Sequence, residues 1–191
     1  PYSVYYTEEE LKTMEESTSG EYSGIGATLT QDPDTKEMSV VSCFENTPAE
    51  EAGLLPGDII VGWNGSSVEG MELSELVSKI KTDPDEHLTL EIERDGDTME
   101  VELTRREVEI PTVESEMLHD QIGYIKLLEF DEVTAEQFRA ALDQLEEQEM
   151  EKLIIDVRDN PGGVLQTVCD MLDELLPEGL IVYTEDKDGN K

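Results

Sequence analysis

One stretch has residue types in an order that could do chemistry: Leu153-Ile154-Ile155-Asp156-Val157-Arg158-Asp159-Asn160-Pro161-Gly162-Gly163. Leu153 to Val157 is a short apolar run, rich in β-branched residues and broken by one acid. Such a run, closed by Asn-Pro-Gly-Gly, reads as a buried strand. Asp156 and Arg158 alternate with Ile155 and Val157, so they share one face and could brace the bend beside them. Pro161 fixes its own φ and pushes Asn160 out of the helical region. Gly162 and Gly163 then permit left-handed backbone and a close approach to the main chain. A helical pattern follows at once through Val164, Leu165, Val168, Met171, Leu172 and Leu175. A strand, a sharp bend and a helix mouth with bare backbone N–H groups make a place for a developing negative charge. The plain alternative is a tight connection with no chemistry.

Hydrolysis would also need a nucleophile and a base, and the sequence offers neither near this turn. No serine occurs after Ser115, and the lysines beyond the glycines are Lys187 and Lys191. His87 and His119 are the two histidines, and both fall in polar connecting segments. Cys43 and Cys169 are far apart and form neither a metal motif nor a disulfide framework. Cys169, on the expected helix, reads as a small core residue. No metal ligand set and no cofactor motif are found.

The elements that must position this turn come from an acidic chain. Among 191 residues, 48 are Asp or Glu and 13 are Lys or Arg, giving a formal charge of −35. Phosphate backbones are bound by clustered bases, so nucleic acid is not an expected partner. Acidity of this kind otherwise serves solubility. Hydrophobic residues make up 37%, a low share, yet periodic apolar stretches run the whole length and argue against wholesale disorder. No apolar run is long enough for a membrane helix. The start at Pro1 and the turn-like Asp188-Gly189-Asn190-Lys191 suggest a piece of a longer chain.

Read in order, Thr7 and Glu10 make a capping box for a helix from about Glu8 to Glu16. Tyr22 to about Arg106 reads as a β-rich module with one main helix. Its strands are Met38–Phe44, Ile59–Trp63, Leu88–Arg94 and Met99–Leu103, with hairpins at Asn64-Gly65 and Asp95-Gly96. Pro48 opens a one-turn helix. Leu73, Leu76, Val77 and Ile80 mark a helix over Glu72–Lys81. The loop Gly24-Ile25-Gly26-Ala27 has free N–H groups that could cradle a carboxylate. The strand after it, Ala27 to Thr30, offers an open edge to an extended peptide, and Leu73 and Val77 would line the opposite wall.

Glu107 to Glu116 reads as an extended connection. Then follow a strand Ile122–Leu127, a helix Ala135–Glu147 capped by Thr134, the strand Leu153–Val157, a helix to Leu176 and a strand Leu180–Thr184. This βαβαβ run implies a mostly parallel sheet with right-handed crossovers. Ligands bind such sheets at the carboxyl ends of strands, where the Gly-Gly turn lies.

Three blocks together resemble a known family. Asp156, Arg158, Asn160, Gly162 and Gly163 match the Asp-Leu-Arg-x-Asn-x-Gly-Gly signature of the carboxyl-terminal processing proteases, serine peptidases of the S41 type, with Val157 in place of Leu. Ile122-Gly123-Tyr124-Ile125 matches a second motif of that family. Gly24-Ile25-Gly26-Ala27 and Ala52-Gly53-Leu54-Leu55-Pro56-Gly57-Asp58-Ile59-Ile60 resemble the paired motifs of its PDZ domain. Pro1-Tyr2-Ser3-Val4-Tyr5-Tyr6 is similar to a segment that precedes that domain.

The resemblance implies an α+β and α/β chain, with a PDZ domain inserted before a βαβαβ portion of the protease core. Its divisions would be 1–21 for a helical segment of the core, 22–106 for the PDZ domain and 107–191 for the first part of the catalytic core. It implies a serine endopeptidase whose Ser-Lys dyad lies downstream, so that this chain alone is inactive. Gly162 or Gly163 would supply an oxyanion-hole N–H, with Asp156 and Arg158 as structural braces. Gly24, Ile25, Gly26, Ala27, Leu73 and Val77 would bind polypeptide substrates by their free carboxyl ends. It further implies a bacterial protein outside the cytoplasm, secreted or at the envelope, and is compatible with a homo-oligomer. A peptide-binding scaffold without catalysis is the rival reading.

Overall fold

The computed structural model describes residues 4–83 and 86–190, so part of the aromatic segment Pro1–Tyr6 lies outside the described residues. The chain forms two compact units. One is residues 21–110, and the other joins residues 1–20 to residues 111–191.

The element order is α1 (Glu8–Ser19), β1 (Glu21–Gly24), β2 (Ala27–Gln31), β3 (Met38–Cys43), α2 (Pro48–Glu51), β4 (Ile59–Trp63), β5 (Ser66–Ser67), α3 (Leu73–Thr82), β6 (His87–Arg94), β7 (Asp97–Thr104) and β8 (Arg106–Glu109). There follow β9 (Val113–Leu118), a 3₁₀ turn (His119–Gln121), β10 (Ile122–Leu127), α4 (Thr134–Glu147), β11 (Lys152–Asp156) and α5 (Leu165–Leu175).

In the module, β2-β3-β4-β6-β7 form an antiparallel sheet, and β5 folds back on β4. Leu88, Leu90 and Ile92 alternate inward along β6, while Thr89 and Glu91 point away, which is the period-2 pattern of a half-buried strand. Asp95 and Gly96 both take positive φ, as a two-residue hairpin requires, and so fix the β6–β7 register. α3 buries Leu76 and Ile80 against this sheet. Asp58, 1% exposed, accepts from the Leu55 N–H at 2.8 Å and pairs with Arg94, which ties the Leu54–Asp58 turn to the end of β6. β1 pairs antiparallel with β8 from Glu21↔Glu109 to Gly24↔Arg106, which carries the module out to residues 21 and 110.

In the other unit, β10 lies between β9 and β11, parallel to β11 and antiparallel to β9. The sheet is therefore mixed. The expected plain connection Glu107–Glu116 instead gives β8 and the start of β9. α4 is the crossover and packs Phe138, Ala141 and Leu145 on Ile125 and Leu127 of β10, with Met171 of α5. α1 carries the capping box: the Thr7 hydroxyl accepts from the Glu10 N–H, and the Glu10 carboxylate accepts from the Thr7 N–H at 2.8 Å. α1 runs on to Ser19 because Gly20, at φ 77°, supplies a left-handed cap.

Two local expectations are corrected. Thr134 is the first residue of α4 and not its cap. Its hydroxyl accepts from the Asp131 N–H at 2.9 Å and bonds Thr112 Oγ1 at 2.8 Å, so it is committed to tertiary contacts. Leu180–Thr184 forms no strand, and the run of elements stops at βαβα. Leu180 is 77% exposed, and no strand among the described residues pairs with it. An apolar alternation makes a strand only where a sheet edge receives it.

Candidate functional site

The glycine turn follows β11. Asp156, 7% exposed, closes a tight ring with Arg158: its Oδ1 accepts from the Arg158 backbone N–H and from Nε, each at 2.9 Å. The Tyr124 hydroxyl of β10 donates to Asp156 Oδ2 at 2.7 Å. The Arg158 guanidinium, then Tyr124, then the Arg158 N–H hold the Asp156 carboxyl well below the usual carboxylate range. The same bond raises the Tyr124 hydroxyl, whose loss of a proton would set two anions together. This charged knot fixes the end of β11 against β10.

Beyond it the side chain of Asn160 works in two directions. Its Nδ2 donates to the Leu127 carbonyl at 3.0 Å, and its Oδ1 accepts from the Gly162 N–H at 2.8 Å. The Gly162 carbonyl accepts from the Phe130 N–H at 3.1 Å, and the Val164 N–H donates to the Phe130 carbonyl at 2.6 Å. Gly163 thus sits in a parallel bridge with Phe130, its neighbours making the bonds. In that geometry its own N–H points to the other side, away from Phe130. A Cβ on Gly163 would lie 2.2 Å from the Phe130 carbonyl oxygen, and φ is 146°, so only glycine fits. Of the two glycines read from the sequence, the Gly162 N–H is spent inside the turn and Gly163 keeps an outward donor. His87 and His119 are both exposed and lie on β6 and in the 3₁₀ turn.

The second feature lies within the module. β2 is an edge strand, so one side of its backbone is unpaired. A cavity of about 100 Å³ runs beside it, lined by Tyr22, Gly24, Ile25, Ala27, Leu29, Val77, Ile80 and Lys81. The Ile25 carbonyl accepts from the Ala49 N–H, and the Gly26 carbonyl accepts from the Phe44 N–H and the Thr47 hydroxyl. With their carbonyls held back, the loop residues present their N–H edge toward the groove. Gly26 has φ 76° and no room for a Cβ, which would meet Thr47 Cβ at 2.3 Å. Val77 lines the cavity, and Leu73, which packs against the core, is not among the residues that line it. Gln31 Oε1 accepts from the Leu73 N–H at 3.1 Å and its Nε2 donates to the Met71 carbonyl at 2.8 Å, which ties the start of α3 to the end of β2.

Comparison with known proteins follows the same division. The profile of peptidase family S41 matches residues 121–191, and that of a PDZ domain matches residues 40–94. The chain is 35% identical over 193 residues to the carboxy-terminal processing protease CtpA of Bacillus subtilis, covering all of this chain and 41% of that protein. It is 38% identical over 177 residues to CtpB of the same organism, covering 90% of this chain and 36% of that protein. Along nearly its whole length the chain is similar to carboxy-terminal processing proteases.

A solved photosystem II D1 C-terminal processing protease has a similar fold, with a TM-score of 0.52 at 24% identity over 88% of this chain and 48% of that one. The chain thus spans about two-fifths of the length of the curated relatives it matches. Three site residues had no role in the sequence reading. Tyr124 and Asn160 lie inside motifs, but their bonds to Asp156, Leu127 and Gly162 depend on the β10–β11 register. Tyr22 reaches the groove because β1 delivers it there, and an isolated aromatic gives no such signal.

Proposed function

We propose that this chain is the peptide-capturing and oxyanion-supplying part of a serine endopeptidase that cuts polypeptides near their carboxyl ends. The module takes the free carboxyl end of an extended substrate as an added strand on β2, with an apolar last side chain in the cavity beside Val77. The Gly163 N–H faces the carbonyl oxygen under attack, and Asp156, Arg158 and Asn160 hold it rigid. The nucleophilic serine and its lysine base come from residues of the complete protein other than these 191. Its place outside the cytoplasm of a bacterium rests on the family resemblance alone.

One observation carries the reading: at the carboxyl end of β11 the Gly162 and Val164 N–H groups are spent within the turn, whereas that of Gly163 is turned away from Phe130, in a position no side chain can enter. A preorganised donor of this kind acts on charge that grows in the transition state. The test replaces the Gly163 amide by an ester, with glycolic acid at that position in the complete protein, which removes the N–H without adding a Cβ. The expected result is a fall in kcat of roughly 10²–10³ with KM little changed. A normal kcat overturns the assignment. The chain of 191 residues by itself is expected to leave casein uncut, and turnover abolished by changing one of its own residues would place the nucleophile here. Peptide binding in a complete protein that never cleaves would favour the scaffold reading instead.

A further inference from the structure

The groove contains a side chain that neither the motif nor the family match assigns. Tyr22, on β1, lies along the loop end of the cavity. Its ring covers the backbone of Gly24 so closely that a Cβ there would sit 2.3 Å from Tyr22 Cε2. The Lys81 ammonium lies 4.9 Å from the ring centroid. The ring thus meets both the Gly24 backbone and a cation, on the wall that it shares with the loop residues Gly24, Ile25 and Ala27.

The geometry points to Tyr22 as a specificity-determining residue: its hydroxyl donates to the terminal carboxylate of the bound peptide, beside Lys81. This rests on the reading of the groove as a carboxyl-end site. A neutral phenol has its own proton to donate. Burial pushes the Tyr22 hydroxyl above its ordinary pKa, against the pull of the Gly26 N–H, so it stays a donor at neutral pH. The ring's packing argues against its swinging out to admit the carboxylate. A neutral donor beside an ammonium also separates an acid end from an amide end, because hydrogen bonds to charged acceptors are the stronger ones.

The test is calorimetric titration of the 191-residue chain and of Tyr22→Phe with matched heptapeptides ending Ala-Leu-Val, as free acid and as amide. Phenylalanine keeps the ring against Gly24 and near Lys81 and removes only the hydroxyl. The expected result is a roughly tenfold loss of affinity for the acid with the amide unchanged, so that the acid-to-amide ratio collapses. An unchanged ratio overturns the assignment to Tyr22 while leaving the groove reading intact. Tighter binding of the acid by Tyr22→Phe also overturns it, since the hydroxyl would then be an obstacle. An equal loss for both peptides counts against it too, as that is what a damaged groove gives. A parent chain that does not distinguish acid from amide defeats the groove reading itself, and Tyr22 with it.

Discussion

On the function proposed above, the loop Gly24–Ala27 and the turn Gly162–Gly163 are two solutions to one problem, which is to aim a backbone N–H at an anionic oxygen. In the loop the proposed target is a carboxylate that exists before binding. The edge of β2, the cavity wall at Val77 and the cation Lys81 all lie within the same unit as the loop. In the turn, on the same proposal, the unit supplies one donor and its braces, and the nucleophile comes from elsewhere in the complete protein. Ground-state recognition would then be gathered in one unit, and transition-state recognition assembled from parts distant in sequence. The difference shows in how the glycines are held. Gly26 is fixed by bonds to its carbonyl, and Gly163 by the bonds of its two neighbours.

The most severe way to break that contrast is Gly163→Ala. Positive φ and a 2.2 Å approach to the Phe130 carbonyl act together, so the expected cost is about 3 kcal/mol or more. Gly162→Ala, with φ 106° but open space at its Cβ, is expected to cost about half as much. Urea melts of the two variants check the ordering. Equal costs would show that the approach to Phe130 relaxes easily, and peptide binding by the module should survive either change.

Buried acids sharpen the comparison next. In the module, Arg94 holds Asp58 below its ordinary pKa. In the other unit Asp131 is 5% exposed, and burial, with the nearby Glu129 charge, raises it to about 6. The folded state therefore binds the Asp131 proton more tightly than the unfolded state does. Measured against a neutral side chain, Asp131 costs nothing below about pH 4, costs more as pH rises toward 6, and is a penalty of about 3 kcal/mol at pH 7. Asp131→Asn should raise stability at pH 7 by about that much and change little at pH 4. Melting curves at both pH values decide it, and an equal effect at both would remove ionisation as the cause.

The smallest effect is expected in the groove. Lys81→Met should weaken binding of the free-acid heptapeptide about threefold and flatten its salt dependence, because the cation is partly solvated. Titrations at two ionic strengths measure it. A change of a hundredfold would make Lys81, and not the loop, the main determinant.

Much of this molecule was legible in its sequence, for identifiable reasons. The capping box at Thr7 and Glu10, the Asp95-Gly96 hairpin and the alternation of β6 are local signals, and local geometry answers them. Asp156 and Arg158 are two apart on one strand, so their shared face was readable, and their ion pair needs no distant partner. The roles of Tyr124, Asn160 and Tyr22 were not readable, because each depends on which strand is brought beside it. Leu73 was expected in the groove, and helical spacing alone places it there with Val77. The structure packs it against the core, at a helix start that Gln31, 42 positions away, ties to the end of β2. Leu180–Thr184 shows the converse: its pattern was real, but pairing belongs to a sheet edge and not to the segment.

The division of the chain also sets an order of events during synthesis. The Glu132 N–H donates to the Thr18 carbonyl and the Val133 N–H to the Ser19 carbonyl, so α1 docks on residues made after the whole module. At roughly 5–20 residues per second, α1 leaves the ribosome on the order of ten seconds before its docking surface exists. A 12-residue helix is marginal alone, even with a capping box. The module, whose β1 and β8 bring residues 21 and 109 together, folds in the meantime and keeps the two halves of the other unit near each other. It therefore serves as a tether for α1 before it ever meets a peptide.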